Sequence, residues 1–228
     1  MKLSVIIPVF NEKNTIAALI AQVRAVPVEK EIVLVDDGSN DGTRELLKER
    51  FLNEPGVRVF FHEKNKGKGS AVRTGIREAD GDALIIQDAD LEYNPGDYKT
   101  LLETLDRLQA NVVYGSRFMG KKGVTTPWHY FVNYFLTFLT NLLFSSQLTD
   151  METCYKLFRA DVLKKLPLRS EGFEIEVELT ARTLLAGEKI IEVPISYKGR
   201  AFHEGKKIGW KDGFKAVAQL FRYRFGRA

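Results

Sequence analysis

Cysteine is nearly absent: Cys154 stands alone in 228 residues. That excludes an internal disulfide framework and any cysteine-rich zinc site, and it fits a reducing compartment. The histidines His62, His129 and His203 are scattered without metal-ligand or triad spacing, and they read as structural or surface residues. No internal repeat, low-complexity segment or linker interrupts the chain. Neither sign of charge dominates, since a formal net charge of +4 allows anionic partners without requiring them. The apolar run near the N-terminus is too short for a signal peptide and meets Glu12, so it reads as a first strand. The stretch Asn65-Lys66-Gly67-Lys68-Gly69 lacks the Walker spacing and the third glycine of a dinucleotide fingerprint. It is expected to start a helix, with Lys68 near a nucleotide as the second reading. A nicotinamide-dependent dehydrogenase is thereby disfavoured.

What is present is alternation. Leu3 to Phe10, Glu31 to Val35, Val57 to Phe61 and Ala83 to Ile86 are short apolar runs that read as buried strands. Helical patterns separate them. Asn14 is the expected cap of one running to about Val26, with Ile16, Leu19, Ile20 and Val23 on one face. A second helix carries Leu46, Leu47 and Phe51, and a third passes through Ala71 and Ile76. Val112 to Tyr114 and Ile190 to Tyr197 add strands in a less regular second half. The order predicts an α/β fold, a mostly parallel central sheet flanked by helices. Polar residues collect just after the strands' carboxyl ends, where open α/β sheets bind ligands.

Between Lys122 and Asp150 there is no Lys, Arg, Asp or Glu. Trp128, Tyr130, Phe131, Tyr134, Phe135, Phe138, Leu139, Leu142 and Phe144 make this segment strongly apolar. However, Asn133, Thr137, Thr140 and Asn141 recur at helical spacing as one polar stripe. The stripe favours an amphipathic helix in a membrane interface over a spanning one, with a core-packed helix as the plainer alternative. Trp210 to Phe225 is a basic counterpart. Phe214, Val217, Ala218, Phe221 and Phe225 form its apolar face beside Lys215, Arg222 and Arg224.

Two carboxylates two residues apart at a strand end, Asp88-Ala89-Asp90, can hold a hard divalent cation that bridges diphosphate oxygens. Alone the triplet is a weak signal, because Asp is common in turns. A second acidic pair, Asp36-Asp37-Gly38-Ser39, ends another strand of the same sheet. With Ser4-Val5-Ile6-Ile7-Pro8-Val9-Phe10-Asn11-Glu12 in front, the three motifs stand in an order that resembles family 2 glycosyltransferases of the GT-A fold. The closer resemblance is to the polyprenyl-phosphate branch, the dolichol-phosphate mannose and glucose synthases. Gly115-Ser116-Arg117-Phe118, Tyr155-Lys156-Leu157-Phe158, Glu192-Val193-Pro194-Ile195 and Glu204-Gly205-Lys206-Lys207 support it over nearly the whole chain.

The resemblance implies a single glycosyltransferase domain over residues 1–228. Its nucleotide-sugar half would be 1–118 and its acceptor- and membrane-facing half 119–228. Pro8, Phe10, Glu12, Val35 and Asp37 would line the base and ribose, although strand termination and packing explain Pro8 and Phe10 equally well. Asp88, Ala89 and Asp90 would meet the diphosphate through Mg2+ or Mn2+, with Glu92 as a further ligand where many mannose synthases carry Gln. Arg117, Arg200 and Lys206 would bind phosphates of donor or acceptor. Departures at Phe173-Glu174-Ile175-Glu176 and from Gly67 to Arg73 look more like the glucose-transferring relatives. Where familiar relatives carry appended spans, no spanning segment is expected between the catalytic core and Ala228.

The expected reaction is inverting transfer of a hexose from UDP-glucose or GDP-mannose to a polyprenyl phosphate. It would take place on the cytoplasmic face of a membrane. A lipid phosphate is already anionic and needs no base; a sugar hydroxyl does, and Asp150 stands where related inverting enzymes place theirs. Capping a loop or helix is the other reading of Asp150. A saccharide-acting soluble transferase with Asp150 as base is the enzymatic alternative. A silent module binding a sugar nucleotide or nucleic acid is the non-enzymatic one, and the intact acidic pairs argue against it.

Overall fold

The computed structural model describes residues 1–119, 127–199 and 210–226, with the backbone alone at 127–129 and 210–212. Arg200 and Lys206, expected to bind phosphate, lie outside the described residues, as does the Glu204 to Lys207 stretch. Four early strands carry the sheet's centre: β1 (Leu3–Val9), β2 (Lys30–Asp36), β3 (Val57–Phe61) and β4 (Ala83–Ile86). Every residue of β4 and six of the seven in β1 are buried. Parallel strands covered on both faces read as unbroken apolar runs rather than alternating ones, which is why they were legible. Each fully buried Val, Leu or Ile contributes about 1.5–3 kcal/mol of transfer free energy.

Helices α1 (Ile16–Ala25), α2 (Thr43–Arg50) and α3 (Lys68–Glu78) connect these strands. The cap of α1 differs from expectation. Asn14 is exposed, Thr15 is the capping position, and the Glu12 carbonyl accepts the N–H groups of Thr15 and Ile16. The Thr15 hydroxyl meanwhile donates to Glu12 Oε2 at 2.7 Å. A 3-10 turn at Pro95–Asp97 leads into α4 (Tyr98–Arg107), and β5 (Val112–Ser116) follows.

In the second half come α5 (Pro127–Phe144), β6 (Lys156–Arg159), α6 (Ala160–Leu163), α7 (Ile175–Leu185), β7 (Ile190–Pro194) and α8 (Trp210–Phe225). β7 stops at Pro194 rather than Tyr197. The described strands form one sheet of seven in the order β3-β2-β1-β4-β6-β5-β7. Pairings β1–β2, β1–β4, β2–β3 and β5–β7 are parallel, whereas β6 runs antiparallel to both β4 and β5. Only four residues long, β6 escapes a periodicity search, yet it joins the two halves of the sheet. The main core surrounds this sheet. A smaller cluster of Leu136, Leu148, Met151, Val177, Ala216 and Leu220 binds α5, α7 and α8 to its flank.

Candidate active site

Three adjacent parallel strands deliver their carboxyl ends to one edge. β1 brings Phe10 to Glu12, β2 brings Asp36 and Asp37, and β4 brings Asp88 to Asp90. The chain goes to β2 and β3 on one side of β1 and returns to β4 on the other. That reversal opens a crevice at the strands' carboxyl ends. Because β6 is reversed, its amino end reaches the same edge, together with residues 150–156 that precede and begin it.

The two residues flanking this crevice have left-handed backbone: Asn11 has φ 55° and Leu91 φ 63°. For Leu, that conformation is strained, and such strain concentrates at functional turns. It turns the chain sharply after Asp90, whose Oδ1 accepts the Glu92 N–H at 3.1 Å. Behind the turn, Gln87 is fully buried and its amide donates to the Asp88 carbonyl at 2.9 Å. The hydroxyls of Tyr98 and Tyr155 both donate to Gln87 Oε1, fixing the amide that holds Asp88 in place.

Asp88 is the outer end of a ladder of alternating charge. Lys68 Nζ lies 2.6 Å from Asp88 Oδ1 and 3.0 Å from Glu176 Oε1. Glu176 also pairs with the fully buried Lys156, whose ammonium donates to the Thr153 carbonyl. Burial alone would lower Lys68, but Asp88 and Glu176 outweigh it and hold the ammonium well above its ordinary value. Burial likewise opposes the charge on Glu176, and Lys156 and Lys68 prevail to keep it below the usual carboxylate range. Lys68 is the first residue of α3, and the next N–H groups are already occupied. Gly69 donates to the Gly172 carbonyl and Ser70 to that of Glu171. A Cβ on Gly67 would stand 2.3 Å from the Glu171 oxygen, so glycine is what permits this approach. The Gly-Lys-Gly stretch therefore starts a helix, as expected, and presents an ammonium rather than a backbone cradle.

Arg117 follows β5, and Asp150 precedes β6. Asp150 is fully buried, with Oδ2 2.7 Å from Arg117 Nε and Oδ1 2.7 Å from Nη2. The Arg117 backbone N–H adds a third bond at 2.9 Å. Such a two-pronged pair fixes the guanidinium plane. Despite burial, Asp150 holds Arg117 well above its ordinary value. The guanidinium carbon sits 5.2 Å from the centre of the Tyr197 ring, and the Tyr197 hydroxyl donates to Glu92 Oε2 at 2.6 Å. Tyr197 thus links the cation after β5 to the turn after β4. Glu152 lies between the two ion-pair systems. Burial pushes its carboxyl up to about 7, Lys156 and Arg117 draw it down, and Glu176 and Asp150 add to the rise.

The remaining expected residues divide. Pro8, Phe10 and Glu12 are half-buried at the crevice. Val35 is fully buried in the core. Asp37 is almost fully buried. Its Oδ1 accepts the Lys66 N–H and its Oδ2 the Gly67 N–H, at 3.0 and 2.7 Å, while His62 Nδ1 lies 2.7 Å from Oδ1. In this arrangement Asp37 clamps the loop before α3. The three expected metal carboxylates are not a ready-made set: among the described residues no group of three His, Cys, Asp or Glu converges for an ion. Lys68 holds Asp88 and Tyr197 holds Glu92. Asp88 and Asp90 still fit a hard cation, because Mg2+ in particular takes one or two carboxylates and completes its shell with phosphate oxygens and water. Sequence reasoning missed Gln87, Glu152, Lys156, Glu176 and Tyr197 as parts of the site. The available signal was a charge inside an apolar stretch, as in Lys156, which demands a buried partner.

Beside the edge, α5 is inverted relative to a water-facing amphipath. Its polar stripe turns inward: Thr137 and Thr140 are buried, and Thr137 Oγ1 accepts the Met151 N–H at 3.1 Å. Asn141 bonds both backbone groups of Leu148, each at 2.8 Å. Outward stand Tyr130, Phe131, Tyr134, Phe135, Phe138 and Leu142, of which Phe131 is 60% exposed. On α8, Ala216 and Leu220 face inward while Phe214, Phe221 and Phe225 are exposed. No helix among the described residues is long and apolar enough to cross a membrane.

Comparison with known proteins agrees with this fold. Residues 4–167 match the model of the family described as "Glycosyl transferase family 2". The chain is 31% identical over 231 residues to an undecaprenyl-phosphate mannosyltransferase of Micrococcus luteus, covering 98% of this chain and 94% of that one. It is also 31% identical to a dolichol-phosphate mannosyltransferase of Pyrococcus furiosus, across 97% of this chain but 63% of that protein. Among solved structures, glucosyl-3-phosphoglycerate synthase of Mycobacterium tuberculosis in complex with Mn2+, uridine diphosphate and glucosyl-3-phosphoglycerate superposes with a TM-score of 0.74. It shares 18% identity, over all of this chain and 81% of that one.

Proposed function

The chain belongs to glycosyl transferase family 2, and from that premise we propose that it moves mannose from a nucleotide-activated donor to a polyprenyl phosphate at a membrane surface. Two relatives similar across nearly this whole chain bear the names of polyprenyl-phosphate mannosyltransferases, which favours mannose over glucose. The observation that carries the acceptor assignment is Tyr197, which joins Arg117 to Glu92 two residues beyond Asp90. A fixed cation beside the donor carboxylates suits a reaction between two phosphate-bearing substrates.

In this reading Asp88 and Asp90 would hold Mg2+ or Mn2+. When bound, the ion supplies charge neutralisation to the departing nucleoside diphosphate. Phe10 and Glu12 contact the nucleoside end, with Pro8 behind them. Asp150 holds Nε and Nη2 of Arg117 and Tyr197 lies against the same guanidinium, which fixes the cation assigned to the acceptor phosphate. The phosphate oxygen attacks the anomeric carbon in line, with inversion, and no side chain needs to remove a proton. Asp150 serves as the positioning partner of Arg117; the saccharide-acceptor reading would need it as a base. The exposed aromatic face of α5, flanked by the exposed Arg222 and Arg224 of α8, rests on the bilayer that holds the acceptor.

A transfer assay tests this. Purified protein with Mn2+ is given GDP-mannose or UDP-glucose, with and without a short polyprenyl phosphate. Mannosyl-phosphoprenol should form only when GDP-mannose and the lipid are both present, and Asp90→Ala should abolish it. Lipid-independent transfer to a saccharide would overturn the acceptor assignment.

A further inference from the structure

Lys68 occupies an unfavourable place for a purely structural cation. It opens α3, where the helix dipole disfavours positive charge. The backbone groups next to it are satisfied by residues 171 and 172 without its help. Its side chain is only 12% exposed, whereas that of Asp88 is 24% exposed at the edge of the crevice. Lys156 already neutralises Glu176 from the core side. The charge that Lys68 leaves to be balanced is therefore that of Asp88. A divalent cation approaching Asp88 meets a carboxylate whose charge is matched by an ammonium 2.6 Å away, and that ammonium repels the ion.

We propose that Lys68 couples the cation to the nucleotide: it holds Asp88 against a divalent ion until a diphosphate arrives to take the ammonium as a partner. The diphosphate then contributes oxygen ligands to the ion and an anion to Lys68, so both contacts improve in one event. An ion that binds the nucleotide-loaded form better must, by linkage, tighten nucleotide binding by the same factor. Lys68 thus has two successive partners, Asp88 before the nucleotide binds and the diphosphate afterwards. The inference rests on the proposed role of Asp88 as an ion ligand, not on the identity of the acceptor.

Calorimetric titration of the full chain with Mn2+ alone, and then with Mn2+ in the presence of GDP, tests the coupling without any transfer step. Wild type should bind Mn2+ weakly alone and on the order of tenfold or more tightly with GDP, after correction for Mn–GDP complexes in solution. Lys68→Met and Lys68→Gln should tighten Mn2+ binding without GDP by a similar factor and shrink the gain from GDP, while Lys68→Arg should behave as wild type. Adding Asp88→Asn to Lys68→Met should remove the gained affinity. Equal Mn2+ affinity of wild type with and without GDP would overturn the proposal, whether or not the variants fold. So would folded neutral variants that bind Mn2+ alone no better than wild type. Gained affinity that survives Asp88→Asn would instead place the ion elsewhere and sink the ligand assignment itself.

Discussion

Asp150 and Glu152 are two carboxylates two positions apart that meet different fates. Asp150 carries a matched guanidinium, and removing its charge leaves Arg117 buried beside an uncharged amide. Asp150→Asn should raise KM for polyprenyl phosphate by about tenfold or more, because Arg117 loses its fixed plane. A base would show the opposite split, a collapse of kcat with KM unchanged, and steady-state kinetics separates the two. Among the described residues Glu152 forms no ion pair, and Lys156 and Arg117 only draw its carboxyl down from a distance. With a folded value of about 7 against an ordinary 4.5, it binds more protons folded than unfolded between those values. Stability is therefore lost as pH rises through that window, and the cost is fully present above it. Glu152→Gln should remove the slope, so thermal melts at pH 5 and pH 8 should differ less in the variant than in wild type. Equal slopes would refute the assignment.

At the scale of elements, a helix was legible where its side chains repeat and illegible where only contacts decide. α5 has a polar stripe in any reading of its sequence, but which face meets the body depends on where Met151 and Leu148 offer backbone groups. Thr137→Val keeps the shape and deletes the acceptor of the Met151 N–H. It should cost about 1–3 kcal/mol in denaturant melts, as an unpaired buried donor does. A loss below a few tenths of that would show the bond to be dispensable. β6 is the complementary case. Its four residues include the buried Lys156, and neither length nor pattern marks it as a central strand. Pairing with β4 and β5 is a long-range decision, and it is what turns residues 150–156 to the ligand edge.

For the molecule as a whole, the packed helices α5 and α8 each carry exposed aromatic side chains. Burying a Phe stabilises by about 1.5–3 kcal/mol, so the double change Phe135→Ser and Phe138→Ser should release most of the protein from anionic vesicles in co-sedimentation. Melting temperature should move little, since both side chains are exposed in the fold. Retention on vesicles at wild-type levels would remove this face from the membrane reading. The sequence by itself determined the α/β class, the four early strands and the motifs Asp36-Asp37 and Asp88-Ala89-Asp90. Each of these is a local statement, carried by unbroken apolar runs or by acidic residues that end them. Tertiary structure alone decided that Asp37 clamps a loop, that Val35 lies in the core, and that Asp150 belongs to Arg117. It also decided that Asp88 ends a ladder reaching back to Lys156 and that the polar stripe of α5 faces inward. Val35 apart, the physical reason is shared: a charged or polar group is assigned by the partner that satisfies it. For the carboxylates those partners lie 20 to 33 residues away, and for the α5 stripe 7 and 14, across turns and strands that only the folded chain brings within hydrogen-bond reach.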